Sequence, residues 1–271
     1  MSLPAAGLSR TRYGSQTLHA EWTKLRTLAS TGWLLLAAAV LTIAVSAAAD
    51  AAATCPSGGC QTDPAKLSLT GVQAGQAIVA VIAVLAISGE YSTGMIRITL
   101  TAMPRRLTVL AAKAALITGP VLVVSAVAVL ACVLAGRLIL PGHGFTAAHG
   151  YPPLALGHGP VLRAAGGSVL YLALIALLSL GVATAVREAA VAIGLVLGVL
   201  YVFPVVTNVV TNQHWQRHLE QIGPMTAGLD IQATANLRSL PLTPWQGLGV
   251  LTLWAAGALT IGALIFRFRD A

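Results

Sequence analysis

LTVLAAKAALITGPVLVVSAVAVLACVL, residues 107–134, carries a single charge, Lys113. A soluble fold of ordinary composition has about 25% charged residues, so this stretch belongs to a different solvent. About 20 apolar residues in a helix cross the hydrocarbon core of a bilayer. Lipid offers no partner to a free N–H or C=O, so such a segment must satisfy its backbone internally, as a helix. A transmembrane β-strand would alternate apolar and polar positions, and this run does not alternate. The whole chain shares the bias. Of its 271 residues, 56% are hydrophobic and 9% charged, and the mean hydropathy is +0.82.

Five further runs have the same character. The pattern predicts spans over about 32–49, 69–88, 107–134, 166–186, 189–210 and 245–266, each of roughly the length a bilayer requires. The fold class expected is all-α: a polytopic membrane protein of six transmembrane helices. A single transmembrane domain is expected over residues 15–271, preceded by a disordered cytoplasmic N-terminus over 1–14. The first run exceeds the roughly 7–15 residues of a signal-peptide core, so it is expected to be retained as a span.

Lys and Arg set the orientation. With both termini cytoplasmic, the inside segments hold Arg10, Arg12, Lys24, Arg26, Arg97, Arg105, Arg106, Lys113, Arg187, Arg267 and Arg269. The outside segments hold Lys66, Arg137, Arg163, Arg217 and Arg238, an 11-to-5 bias in the required direction. The acids Asp50, Asp63, Glu220 and Asp230 fall outside. The pI near 10 then reflects topology and contact with anionic membrane lipid. Nucleic acid is not an expected partner, since no soluble basic domain is present to hold it.

One cytoplasmic segment is too long for a plain hairpin. ISGEYSTGMIRITLTAMPRRLTVLAAK, residues 87–113, sets an acid, small residues, a proline and four basic residues between apolar runs. Gly89 is expected to end the second span, residues 90–102 to form a short surface helix, and Pro104 to start the third span. Arg105, Arg106 and Lys113 are expected to snorkel to phosphates. The plain reading is a basic loop. The other is a docking surface for a soluble partner, because Tyr91, Met95, Ile96 and Ile98 mix apolar area with charge. Upstream, Leu18, Trp22, Leu25 and Ala29 share one helical face, with Lys24 away from it and Arg26 near its edge. This predicts an amphipathic interfacial helix, either a topogenic anchor or a coupling element.

Other chemistry is sparse. The sequence contains no G-x-x-x-x-G-K-[ST] phosphate loop, no G-x-S-x-G elbow and no H-E-x-x-H pair, and no enzymatic activity is expected of this chain. His214 and His218 stand at i, i+4, but no acid or Cys is pinned beside them. Three or four ligands make a useful site, so no metal site is expected there or at His143, His149 and His158. Cys55 and Cys60 frame CPSGGC; in an oxidising exterior they can pair, and two free thiols are the alternative. Cys132 is read as a packing residue. Gly71-x-x-x-Gly75 and Gly194-x-x-x-Gly198 fit close helix contacts, and Pro120 and Pro204 fit kinks. Charge is nearly absent from the expected spans, which speaks against ion coupling and for an apolar or amphipathic cargo.

The chain resembles the type-2 ABC transporter permeases, most closely short actinobacterial-type members. The likeness runs over HAEWTKLRTLASTGWLLL (19–36), LSLTGVQAGQ (67–76), ISGEYSTGMIRITLTAMPRR (87–106), LTPWQGLGVLTLW (242–254) and RFRDA (267–271). The resemblance implies an exporter subunit in a bacterial plasma membrane. It implies a cytoplasmic coupling helix in which Glu90, Tyr91, Gly94, Met95, Arg97, Leu100, Pro104 and Arg106 meet the ATPase. It likens the segment with Leu18, Trp22, Lys24, Leu25 and Arg26 to the family's connecting helix. The implied partners are two copies of an ABC ATP-binding subunit and a second permease chain. No cofactor is implied for this chain itself; ATP and Mg would sit in the ATPase. Relatives carry short helices between spans five and six, and IGPMTAG (222–228) resembles a divergent form of a pattern there. A drug, lipid or peptide cargo, with multidrug resistance among the outcomes, fits this class. The reading from another class is a non-transporting membrane sensor or immunity scaffold that docks a cytoplasmic regulator. An ion-coupled carrier is a third.

Overall fold

Six long helices carry the apolar runs, and short helices occupy the connections. In the computed structural model, which describes residues 29–55, 62–92, 106–147, 151 and 154–268, the helices in chain order are α1 (Ala29–Ala52), α2 (Pro64–Ser68), α3 (Val72–Ser92), α4 (Arg106–Ile139), α5 (Gly159–Val186), α6 (Ala189–Val209), α7 (Gln213–Ile222), α8 (Pro224–Leu229) and α9 (Pro244–Phe268). Three 3-10 turns, Leu140–His143, Asp230–Gln232 and Leu237–Ser239, complete the regular structure of the described residues. Helices α1, α3, α4, α5, α6 and α9 are long and apolar enough to cross a membrane. The chain is an all-α, multi-pass membrane protein. Residues 1–28 and 93–105 lie outside the described set, and with them both the expected interfacial helix and most of the expected coupling segment.

The helix ends differ from expectation in an instructive way. α3 continues through Gly89 to Ser92, so Gly89 does not end it. Glycine inside a helix costs only about 1 kcal/mol relative to alanine, less than a packed helix gains from its neighbours. α5 begins at Gly159 rather than near 166, which places Arg163 within the helix. Between α5 and α6 the chain reverses in two residues. Arg187 takes a left-handed conformation (φ 67°), and Glu188 caps α6 by accepting from the N–H groups of Ala190 (3.1 Å) and Val191 (3.0 Å). Pro120 and Pro204 lie inside α4 and α6, which continue past them.

α5 is the central helix. It packs against α3, α4, α6 and α9 and buries Tyr171, Ile175, Leu178 and Leu180 completely. α1 and α6 are peripheral, with Trp33, Leu36, Val40, Val191, Val202 and Val205 turned outward. In hydrocarbon that outward surface is solvated, so burial alone does not hold the helices together. Close approach does. A Cβ on Gly71 would lie 1.9 Å from the Thr42 carbonyl oxygen, and one on Gly75 would lie 2.1 Å from Thr42 Oγ1. The expected contact at Gly71 and Gly75 is therefore present, between α1 and α3. The one expected at Gly194 and Gly198 is not: nothing lies within 4 Å of either position. A second close crossing joins α5 to α9, where a Cβ on Gly181 would lie 2.5 Å from the Ala258 carbonyl carbon.

These contacts give a paired test. Gly71→Ala must displace backbone and should destabilise the protein by about 2–3 kcal/mol or more. Gly194→Ala meets no neighbour and should be neutral or stabilising by up to about 1 kcal/mol. Thermal unfolding of the two variants in the same detergent checks both.

Candidate functional site

The bundle has two unlike ends. At one, α3 ends, α4 begins and the chain reverses at 187–188; at the other, α1, α4 and α6 end, and the long connections 140–158 and 210–243 begin. The long-connection end is built on hydrogen bonds that reach into the spans. Tyr171 Oη of α5 donates to Gln76 Oε1 of α3. Gln76 Nε2 in turn meets Met225 Sδ of α8 at 3.1 Å. Gln232 Nε2 donates to Ser168 Oγ of α5 at 3.0 Å. Tyr201 Oη of α6 donates to the Gln73 carbonyl at 2.6 Å. Gln76, Tyr171, Ser168 and Gln232 are buried, so each polar group must find a partner or cost about 1–3 kcal/mol.

Asp63 ties two connections together. Its carboxylate caps α2 by accepting from the N–H groups of Ala65 (3.1 Å) and Lys66 (3.3 Å). The same carboxylate accepts from Thr234 Oγ1 (2.7 Å), the Thr234 N–H and the Ala235 N–H (2.8 Å). The segment between α6 and α9 is thus clamped onto the segment between α1 and α3. Its inner half is the IGPMTAG stretch. There Pro224, Met225, Ala227, Gly228 and Leu229 are buried, and a Cβ on Gly228 would lie 2.7 Å from Tyr171 Cε2. Its outer half is α7, which buries no residue and leaves Trp215 exposed.

The spans are less free of charge than expected. Asp50, expected in a solvated connection, lies in the last turn of α1 and is fully buried, because α1 runs on to Ala52. Its Oδ1 accepts from Ser68 Oγ at 3.0 Å, and its Oδ2 has no partner among the described residues. Lys113, expected to snorkel to phosphates, is only 6% exposed, inside α4. Sequence reasoning missed Asp50 as a buried group because an Ala-rich run ending in Asp reads as a span with a polar stop.

A groove of about 540 Å³ runs between α5, α6 and α9. Leu178, Gly181, Val196, Val199, Trp254 and Gly257 are among its lining residues, none of which is charged. It opens at the bundle surface, where its lining residues Leu195, Leu253 and Ile261 are exposed.

Of the expected coupling residues, Glu90 and Tyr91 belong to the last turn of α3 and Arg106 opens α4. Gly94, Met95, Arg97, Leu100 and Pro104 lie outside the described residues, as do Leu18, Trp22, Lys24, Leu25 and Arg26. Cys55 is disulfide-bonded, Cys132 is a buried free thiol, and Cys60 lies outside the described residues. Among the described residues no group of three or more His, Cys, Asp or Glu side chains surrounds a common point. The chain matches no protein-family profile and no curated protein.

Asp230 supplies a pH test of the long-connection end. It is only 6% exposed and one of its carboxylate oxygens lacks a partner among the described residues. Burial raises its carboxyl from 3.8 to about 6; Lys66 nearby opposes the rise and Glu220 adds to it. A raised acid favours the protonated folded form. Its penalty is absent below the ordinary value and grows as pH rises from about 4 through 6. The segment 211–241 should resist protease better at pH 5 than at pH 7.5, and Asp230→Asn should remove most of that difference.

Proposed function

We propose that this chain is the membrane-spanning subunit of an ATP-driven exporter of the type-2 ABC permease kind. It moves an apolar or amphipathic cargo, a drug, lipid or peptide, and a separate ATPase subunit that holds ATP and Mg supplies the energy. The observation that carries this reading is the uncharged groove among α5, α6 and α9. A cargo of that chemistry can occupy it without leaving a desolvated charge. In this reading a second permease chain completes the pathway, the termini and the 93–105 link face the cytoplasm of a bacterial cell, and the Lys/Arg bias supports that orientation.

The link is the mechanical joint of the proposal. It connects α3 and α4, two rigid helices that both pack into the core. A displacement applied to the link by an ATPase closing on ATP is therefore delivered to both helices at once. The absence of a phosphate loop from the sequence fits a division of labour in which hydrolysis occurs in the partner.

Co-purification from gently solubilised membranes tests the joint. An ATP-binding-cassette subunit should come down with the chain. Its recovery should fall at least about tenfold when Arg97, Arg105 and Arg106 are together replaced by Glu, since like charges brought together at an interface cost several kcal/mol. Glu90→Ala should keep the complex but uncouple ATP turnover from cargo movement. A regulator in place of an ATPase would move the scaffold reading ahead. One observation favours an ion-coupled carrier instead, the buried Asp50 with an oxygen that has no partner among the described residues. That reading requires proton- or sodium-driven flux without ATP, lost in Asp50→Asn.

A further inference from the structure

Helix α7 carries two imidazoles side by side at the long-connection end. His214 and His218 are four residues apart, which places them on one helical face. Their ring centroids are 4.5 Å apart and the planes are inclined by 35°. Both residues are exposed. Asn212 Oδ1 takes the backbone N–H of His214 at 3.0 Å, so the cap leaves the ring itself unused. Among the described residues no hydrogen bond or ion pair engages either ring, and no carboxylate competes for the ring nitrogens.

A neutral imidazole presents one nitrogen lone pair. Two of them fixed on adjacent turns offer a bidentate donor set whose geometry the helix has already organised. Imidazole nitrogen suits Cu²⁺, Ni²⁺ and Zn²⁺, whereas Mg²⁺ and Ca²⁺ take oxygen donors. We propose that His214 and His218 form a two-imidazole chelate for a divalent transition metal at the long-connection end. The ion keeps open coordination positions, filled by water.

The site has a structural consequence. A ten-residue helix is marginal by itself, and α7 packs no buried residue. Its C-terminal end is held by three hydrogen bonds. Trp254 Nε1 donates to the Ile222 carbonyl (2.9 Å), Thr226 Oγ1 to the Glu220 carbonyl (2.9 Å), and Gln221 Nε2 to the Pro241 carbonyl (3.1 Å). A metal bridging His214 and His218 clips the opposite end. The ion therefore rigidifies the connection between α6 and α9, two of the three helices that line the groove.

The test is calorimetric titration of untagged, full-length protein in detergent with Zn²⁺ and Ni²⁺, with Mg²⁺ as the hard-cation control. One ion per chain is expected to bind at pH 7.5, and binding should weaken at least about tenfold at pH 5.5 because protons compete for the same lone pairs. His214→Ala and His218→Ala should each weaken binding by roughly a hundredfold, since the second donor acts intramolecularly. The double variant should be little worse than either single one, and His143→Ala should leave binding unchanged. Both rings are on the surface, so the unfolding temperature without metal should not move. The proposal is overturned if neither single variant alters Zn²⁺ affinity, if wild-type protein fails to bind millimolar Zn²⁺, or if His143→Ala abolishes binding.

Discussion

A helix in lipid gains nothing by hiding apolar surface from a solvent that is itself apolar, and this constraint shapes the rest of the molecule. What remains is shape and hydrogen bonding. Gly71 and Gly75 let α3 approach the backbone of α1 at Thr42, and Ser46 Oγ then accepts from the Gly71 N–H at 3.0 Å. The second crossing, at Gly181 and Ala258, seats α9 on α5. Both fix helices onto the buried centre, while α1 and α6 keep their outer faces for lipid.

The long-connection end obeys the complementary rule, that polar groups removed from water must be paired. Asp63 uses five donors from two separate connections. Gln76 and Gln232 extend that pairing downward, to Tyr171 and Ser168 of the central helix. The connection between α6 and α9 is therefore bonded to the core rather than draped over it. Asp230, Asp50 and Arg163 depart from this rule, each leaving one buried polar atom without a partner among the described residues. An unpaired carboxyl oxygen beneath a clamped connection is a point where protonation state and local structure are coupled.

Hydropathy made the six spans legible, because lipid imposes one solution on every apolar run. The two-residue reversal at Arg187 and Glu188 was legible too, since only that dipeptide interrupts the run. Contacts were less so. Gly-x-x-x-Gly occurs twice with equal prominence, yet one copy is packed and the other faces open space, because spacing says which residues share a face and not what that face meets. The Gly181–Ala258 crossing had no signature within either helix. The burial of Asp50 and Lys113 was hidden for a related reason: Asp50 looks like the polar stop of its run and Lys113, inside its span, looks free to snorkel, and only neighbouring helices decide whether either is buried. The inward packing of Pro224–Leu229 followed from Tyr171 and Gln76, residues far away in sequence.

The groove and the long-connection end share a residue. Trp254 lines the groove and also donates its indole N–H to the Ile222 carbonyl at the end of α7, with its ring edge against Phe203 of α6 at 6.3 Å between centroids. α6 and α9 form two walls of the groove, and the segment joining them is pinned to α3 through Met225 and to α2 through Asp63. The walls cannot separate widely while that segment stays bonded. Moving α6, α7 and α8 against α3 breaks the bonds at Gln76, Gln73 and Asp63 and leaves buried polar groups unpaired. The buried hydrogen bonds therefore favour α2, α3, α6, α7, α8 and α9 holding together, and the groove keeps its width while they persist.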